Sequence, residues 1–245
     1  MKKVIIGLLS LFSLCLGQFK FGISPLAYSV IVNPGFPMPK QGVGTFVEFG
    51  GLIGDYAEIG VQLGAQIYFL PNKYEYNVPT RIPAPLEATL TALYWGTGNT
   101  TQVFYSENMS GANINAMPYF RYYFLDAPLF RPYIFTAVGF TANLFQSGDL
   151  KDMPQGAGLQ STFAKYSGIY FGAKLGIGLR ILKIMDFGIT YYYMGNMSYQ
   201  KPNNNNVSMQ QALQAISFID PNLKKSYNLH SLNFTLSIAL GGNIE

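Results

Sequence analysis

Apolar residues alternate with polar or small residues along much of the chain. In the segment from Glu58 to Phe69 every odd-numbered residue is apolar, and the residues between them are Glu, Gly, Gln and Tyr. Because successive side chains of a strand point to opposite faces, this period of two predicts a β-strand with one apolar face. The pattern recurs at 168–180 and 231–240, and in weaker form at 43–50, 112–125, 132–146 and 187–198.

An eighth strand is predicted at 19–32, where the alternation changes phase at Pro25 as it does at a β-bulge. The segment 70–111 has two further interpretations. Residues 86–94 also alternate and, with 100–106, are compatible with a hairpin that would raise the count to ten. Residues 85–96 also have the frame of a helix, with Pro near the start and Gly after the end. We predict eight strands, with this segment folded outside the sheet and ten strands as the alternative.

Long and short connections alternate without exception between these eight strands. The long ones are 33–42, 70–111, 147–165 and 200–227, and the short ones fall at 50–55, 126–128 and 183–186. In an up-and-down sheet alternate connections lie at opposite rims, so all the long loops share one rim. Membrane barrels have this arrangement, with short periplasmic turns and long extracellular loops. The pattern therefore predicts an all-β fold, an eight-stranded antiparallel up-and-down transmembrane β-barrel.

The composition agrees with a membrane barrel. The chain is 49% hydrophobic and only 11% charged, whereas a soluble domain is about 25% charged. This balance excludes intrinsic disorder and argues against a soluble enzyme with a polar surface. The longest uncharged stretch after residue 17 is interrupted at Pro25, Pro34 and Pro37, which leaves a closed barrel as the form that could span a bilayer. A soluble sandwich or lipocalin-like barrel is the alternative, with its apolar face inward.

Residues 1–17 have the layout of a secretory signal peptide. Lys2 and Lys3 precede an apolar stretch from Val4 to Leu16, and cleavage is expected after Gly17. The stretch is shorter than the roughly 20 residues of a membrane-spanning helix, and a retained anchor is the alternative. Cleavage would leave a mature chain with no cysteine and with 14 basic against 12 acidic residues. A net charge this small gives no reason to expect nucleic-acid binding.

This architecture resembles the small eight-stranded outer-membrane barrels, the group that includes the OmpA transmembrane domain, OmpX and OmpW. The resemblance covers nearly the whole mature chain and rests on strand number, alternation and loop pattern rather than on a residue motif. It implies a protein of the bacterial outer membrane in contact with outer-membrane lipid. The chain departs from the group at its end, because such barrels usually close on an aromatic residue and this chain continues through Gly241–Glu245.

Five charged residues are predicted to point into the barrel lumen. By alternation these are Glu48, Glu58, Arg121, Lys174 and Arg180. An eight-stranded barrel has an interior just wide enough for side chains, and a buried charge there must be paired. The charges therefore predict either a static plug or a salt-bridge gate across a narrow pore.

Tyrosines near the strand ends are the second group of candidates. Membrane barrels carry aromatic girdles at both bilayer interfaces. We predict a girdle of Tyr119, Tyr122, Tyr123, Tyr133, Tyr191 and Tyr193.

No catalytic or metal site is predicted. The one histidine, His230, shares a face with Leu232 and is predicted to face lipid, whereas Ser231 points the other way. A Ser/His/acid set requires contact among its members, so this arrangement disfavours a lipid-modifying enzyme. No cofactor is expected either.

We therefore expect a non-enzymatic barrel with a structural or surface-interaction role, in which the extracellular loops contact lipopolysaccharide or other surface ligands. A small-solute channel with a charged lumen gate is the alternative, and a lipid-modifying enzyme is a third candidate. The sequence defines no oligomeric state.

Overall fold

The computed structural model describes residues 19–33, 40–69, 74–77, 103–106, 110–127, 129–146, 150–151, 165–200 and 224–241. These residues form eleven strands. The strands are β1 (Phe19–Ile31), β2 (Gln41–Ile53), β3 (Ala57–Phe69), β4 (Tyr74–Asn77), β5 (Val103–Ser106), β6 (Ser110–Tyr123), β7 (Phe130–Gln146), β8 (Leu150–Lys151), β9 (Lys165–Ile181), β10 (Met185–Tyr199) and β11 (Ser226–Gly241). The part of the chain that is described contains no helix that could cross a membrane.

Eight of the strands close into one antiparallel barrel, in the order β1-β2-β3-β6-β7-β9-β10-β11 with β11 paired back to β1. The predicted all-β, eight-stranded antiparallel up-and-down barrel is therefore confirmed. The short connections β2–β3, β6–β7 and β9–β10 lie at one rim, which we call the turn end. The other rim, the loop end, carries the four long connections, most of whose residues lie outside the described part of the chain.

The segment 70–111 contributes no strand to the barrel among its described residues before β6. Its two short strands, β4 and β5, pair with each other, and β5 also pairs with β8 in a separate three-stranded sheet. The barrel therefore has eight strands rather than ten. The alternative helix at 85–96 and the predicted signal peptide at 1–17 lie outside the described residues.

Two bulges shift the alternation. In β1 the register breaks at Pro25 as predicted, so that Ser24 and Ala27 are buried while Pro25 and Leu26 are both exposed. In β10 a second, unpredicted break follows Tyr193, at Gly195, whose φ of 87° lies in the left-handed region that favours glycine. After each bulge the opposite parity of residues faces the lumen.

The outward and inward faces of the barrel wall differ in polarity. The outward face is apolar and open, with Ile169, Phe140 and Ile177 exposed by 76%, 68% and 66%. The inward face carries the buried polar and charged side chains together with tyrosine, methionine and glycine. The barrel is thus apolar outside and polar inside, the reverse of a soluble lipocalin-like barrel.

Large inward side chains lie over glycines on neighbouring strands. Tyr119 covers the paired Gly50 and Gly60, and Tyr133 covers the paired Gly178 and Gly188. A Cβ at Gly60 would come within 2.2 Å of the Phe49 carbonyl oxygen and 2.6 Å of the Gly50 Cα. Glycine is therefore required here for close approach, as expected where large and small residues alternate in a narrow barrel.

We predict that Gly60→Ala destabilises the barrel, because the added methyl group meets backbone atoms that cannot rotate away. Overpacking of this kind costs about 1–3 kcal/mol. Gly22→Ala is the matched control, since a Cβ there meets its nearest atom, Glu48 Cβ, at an ordinary 3.4 Å. Urea unfolding in lipid vesicles measures both variants, and equal stability of the two would contradict the packing argument.

Candidate functional site

Six charged side chains meet inside the barrel near the turn end. This ionic cluster consists of Lys20, Glu48, Glu58, Arg121, Arg180 and Asp186, none of them more than 4% exposed. Three cations thus face three carboxylates in a space closed to solvent. The side chains come from six of the eight barrel strands, so the cluster joins most of the wall across the lumen.

Glu58 is the centre of the ionic cluster. Its carboxylate accepts hydrogen bonds from Arg121 Nη1 (2.8 Å), Arg180 Nη1 (3.1 Å) and Lys20 Nζ (3.2 Å). The hydroxyls of Tyr119 and Tyr123 each donate to it as well, both at 2.7 Å. Five donors on one carboxylate satisfy a charge that would otherwise be costly to bury.

The other two carboxylates complete the pairing. Arg121 Nη2 donates to Glu48 Oε2 at 3.0 Å, and Arg180 forms a two-bond contact with Asp186 at 2.6 and 2.8 Å. Asp186 Oδ2 also lies 3.6 Å from Lys20 Nζ. Strand register produces these contacts, because Glu58 is directly opposite Arg121 on β3–β6, and Arg180 is directly opposite Asp186 on β9–β10.

Arg131 lies between the ionic cluster and the turns. It is opposite Arg180 in the β7–β9 ladder, but its guanidinium turns toward the rim and stacks on Tyr123 at 4.4 Å. There it donates to the Asp55 carbonyl and pairs with the half-exposed carboxylate of Asp126 at 3.4 Å. Arg180 also lies over the Tyr123 ring, at 4.8 Å, but the two guanidinium groups pair with different carboxylates.

Lys174 lies one layer toward the loop end, apart from the ionic cluster. Its ammonium donates to Gln62 Oε1 at 2.6 Å and to Asn115 Oδ1 at 2.9 Å. It also lies over the rings of Phe46 (4.3 Å) and Tyr192 (4.7 Å). Amide oxygens and ring faces thus stabilise this cation. Gln62 connects it to the ionic cluster by donating to Glu48 Oε1 at 2.8 Å.

Above Lys174 the lumen is filled by a polar layer and then by an aromatic cap. In the polar layer Asn113 donates to Thr141 (2.7 Å) and Asn143 (2.6 Å). The aromatic cap consists of Tyr166, Tyr199 and Tyr227, with Tyr166 edge-on to the other two at 5.7 and 5.3 Å. All of these side chains are buried. The described lumen is therefore packed with side chains from the ionic cluster to the loop end.

The structure places all five predicted lumen charges inside the barrel, but it brings only four of them together. Three further charged residues buried in the barrel, Lys20, Asp186 and Arg131, are not predicted from the sequence. Lys20, Gly22 and Ser24 are alternate residues of β1 and share its inward face. Strand alternation in β1 is therefore the signal that identifies Lys20 as an inward charge. The sequence predicts a turn at 183–186 that includes Asp186, whereas β10 begins one residue before it, at Met185.

The predicted tyrosine girdle needs correction. Tyr119, Tyr123 and Tyr133 are buried in the lumen. Tyr119 and Tyr123 are two residues from Arg121 on either side, so strand alternation turns all three inward. Tyr133 likewise alternates with the exposed Ile134.

The other three girdle tyrosines lie on the outer face, where Tyr122 and Tyr191 are exposed and Tyr193 is half-buried. A hydrogen bond of 2.6 Å joins Tyr191 Oη to His230 Nδ1, and the Tyr193 ring lies 5.2 Å from the same imidazole. Ser231 is buried on the opposite face of β11. Among the described residues no group of His, Cys, Asp and Glu is arranged to hold a metal ion.

We predict that Glu58→Gln strongly destabilises the barrel. The substitution leaves three buried cations against two carboxylates, and an uncompensated buried charge costs about 3–5 kcal/mol. Asp126→Asn is the control, because its partly exposed pair with Arg131 contributes about 0–1 kcal/mol. Urea unfolding in vesicles distinguishes the two, and a Glu58→Gln variant as stable as Asp126→Asn would contradict the central role of Glu58.

Comparison with known proteins gives similarity of fold. No protein-family model and no curated protein matches the chain. The solved structure of Neisserial surface protein A is 11% identical, with a TM-score of 0.45, and the match covers 91% of this chain and 96% of that one. OprG from Pseudomonas aeruginosa is 10% identical with a TM-score of 0.42 over 91% and 96% of the two chains. A major outer membrane protein from Thermus thermophilus is 14% identical with a TM-score of 0.40 over 91% and 99%. By its own strand number and pairing, the chain has the architecture of the small eight-stranded outer-membrane barrels that its sequence resembles.

Proposed function

We propose that the chain is an integral protein of the bacterial outer membrane, with a sealed lumen and a non-enzymatic role carried by its loop-end surface. The observation that carries this proposal is the distribution of polarity across the wall. Outward positions along the middle of the strands hold exposed aliphatic and aromatic side chains, whereas eight charged side chains are buried inside and the exposed charges described lie at the two rims. An apolar surface that encircles a protein requires an apolar surrounding, and hydrocarbon provides it.

The height of the outward apolar surface matches the thickness of the hydrocarbon layer of a bilayer. On β11 the outward residues are apolar from Leu232 to Leu240, which is about 26 Å of strand at roughly 3.3 Å per residue. On β9 they are apolar from Ile169 to Ile181, about 40 Å of strand. A tilt of about 40° shortens these lengths to roughly 20 and 30 Å, which bracket the band of about 25 Å found on membrane barrels.

The packed lumen favours a surface role over transport. The ionic cluster closes the turn end, and the aromatic cap closes the loop end. Removal of one barrier would leave the other in place. The long connections, in contrast, all leave the barrel at the loop end, where an outer-membrane protein meets the exterior.

A gated channel is the second candidate, and the ionic cluster favours it. Glu58 binds cations from three different strands, so a rearrangement of one side chain would change the pairing of the others. In that case the cluster would open transiently to small solutes.

We predict that the protein shows no steady single-channel conductance in planar bilayers. Arg121→Ala should be silent as well, because the aromatic cap remains at the loop end. Folding of the same preparation is verified by the change in its gel migration on heating. Reproducible openings of the unmodified protein that increase in Arg121→Ala would contradict the sealed lumen and support the gate.

A further inference from the structure

Two neighbouring polar side chains on the inward face of β11 lack hydrogen-bond partners. Ser231 Oγ and Asn233 Nδ2 are fully enclosed, and no described protein atom forms a hydrogen bond with either of them. An unpaired buried donor lowers the folding equilibrium roughly five- to a hundredfold, so native structures rarely retain two side by side. These two atoms therefore indicate a partner that is not part of the chain.

The Asn233 amide is held so that one of its two polar atoms always stays unpaired. Gln66 Nε2 donates to Asn233 Oδ1 at 3.1 Å, and Gln66 Oε1 accepts from Tyr68 Oη at 3.1 Å. Turning both amides over exchanges donors for acceptors and leaves the Asn233 oxygen unpaired instead. The unpaired atom therefore follows from the arrangement of the side chains and does not depend on the orientation of the amides.

The Ser231 hydroxyl lies on the same inward face as Asn233. The two residues are two apart on one strand, so their Cα atoms are roughly 7 Å apart. Ser231 also lies beside the Tyr68 hydroxyl, without the geometry of a hydrogen bond. Tyr68 Oη is itself 2.9 Å from Ser29 Oγ. A small molecule between Ser231 and Asn233 would thus have a third polar group within reach.

The inward positions around Asn233 are small or of moderate size. One row across five adjacent strands consists of Gly42, Ser29, Asn233, Thr190 and Gly176. Short side chains at all five positions leave space in this layer of the lumen, and hydroxyl and amide groups line it. The site therefore suits a small polar molecule rather than an apolar one.

Arg121 Nε is also buried without a hydrogen-bond partner, but the rings around it explain why. The Arg121 guanidinium lies over the rings of Tyr133 and Tyr119, at 4.7 and 5.3 Å. Ring faces attract cationic N–H groups. The unpaired nitrogen of Arg121 therefore requires no further ligand, in contrast to the two side chains on β11.

We propose that Ser231 and Asn233 hold one water molecule inside the closed lumen. Buried waters typically make about three hydrogen bonds to groups that the protein leaves unpaired, and this site offers an amide, a serine hydroxyl and a tyrosine hydroxyl. Two polar atoms about 6 Å apart can share one water at ordinary hydrogen-bond lengths. The water connects β11 to Tyr68 from β3. The inference deepens the proposed function, because the long residence of the water rests on the sealed lumen.

The test is nuclear magnetic resonance of the isotope-labelled full-length protein in deuterated detergent micelles. The Asn233 side-chain amide should show cross-relaxation with water, with the sign found between protons of the protein itself, because a held water tumbles with the barrel. The Asn113 amide is the internal control. Its nitrogen already donates to Thr141 and Asn143, at 2.7 and 2.6 Å, so it should show no contact with water.

Ser231→Ala is the variant that tests the site, and Ser226→Ala is its control, since it removes an exposed hydroxyl from the same strand. Loss of one hydrogen bond to the water should lower the folding equilibrium of Ser231→Ala about fivefold in urea unfolding and weaken the water contact at Asn233. Ser226→Ala should leave both measurements unchanged. If no water is bound, Ser231→Ala removes an unpaired hydroxyl, and stability should stay the same or rise. That result, or the absence of a water contact at Asn233 in the unmodified protein, would overturn the water site.

Failure of the water site is distinguishable from failure of the sealed lumen. A dry Asn233 amide leaves the lumen closed and removes the site alone. Contact with fast-moving water at both Asn233 and Asn113 would show that the lumen is open to solvent. It would contradict the sealed lumen and, with it, the held water.

Discussion

Closure of eight strands leaves an interior just wide enough for side chains, and this lack of space determines how the rest of the molecule is built. A charge that points inward has no water to solvate it, so it must find opposite charges across the lumen. Glu58 does so with Arg121, Arg180 and Lys20. The same lack of space explains why glycines face the largest inward rings, since there is room for only one of the two side chains.

The polar interior and the apolar exterior are consequences of one period-two pattern. Along the middle of the barrel the charged and amide side chains point inside, where they bond to one another, and most large aliphatic side chains point outside. Tyrosines lie on both faces. The buried network then connects strands that are far apart in the chain, such as β1 and β10 through Lys20 and Asp186. The Lys20–Asp186 pair thus reaches from the first strand across the last strand to β10, and a hydrogen bond between the hydroxyls of Ser24 and Ser237 joins β1 to β11 directly.

Alternation predicted the barrel strands, their number and five of the eight buried charges among the described residues, because the period of two is present in each segment by itself. The prediction is wrong where a residue is placed on the wrong face of its strand. A girdle that includes Tyr119 and Tyr123 is incompatible with an inward Arg121 between them, since residues two apart on a strand share a face. Lys20 and Asp186 lie near strand ends, where a boundary error of one or two residues removes a residue from the pattern. The bulge at Gly195 left no signal beyond one glycine among many, and the cross-lumen partners of Glu58 depend on barrel closure, which no single segment encodes.

The central claim is that the apolar outer wall contacts lipid and that this contact ends where the outward positions of β9, β10 and β11 become polar at the loop end. The mature chain is predicted to contain no cysteine, so single cysteines at Ile177 and Ser226 can carry nitroxide labels in protein reconstituted in vesicles. Electron paramagnetic resonance then compares collision with oxygen, which concentrates in hydrocarbon, and with a water-soluble nickel chelate. The account predicts that oxygen dominates at Ile177 and the chelate at Ser226. Dominance of the chelate at Ile177 would show that the outer wall faces water and would contradict the account.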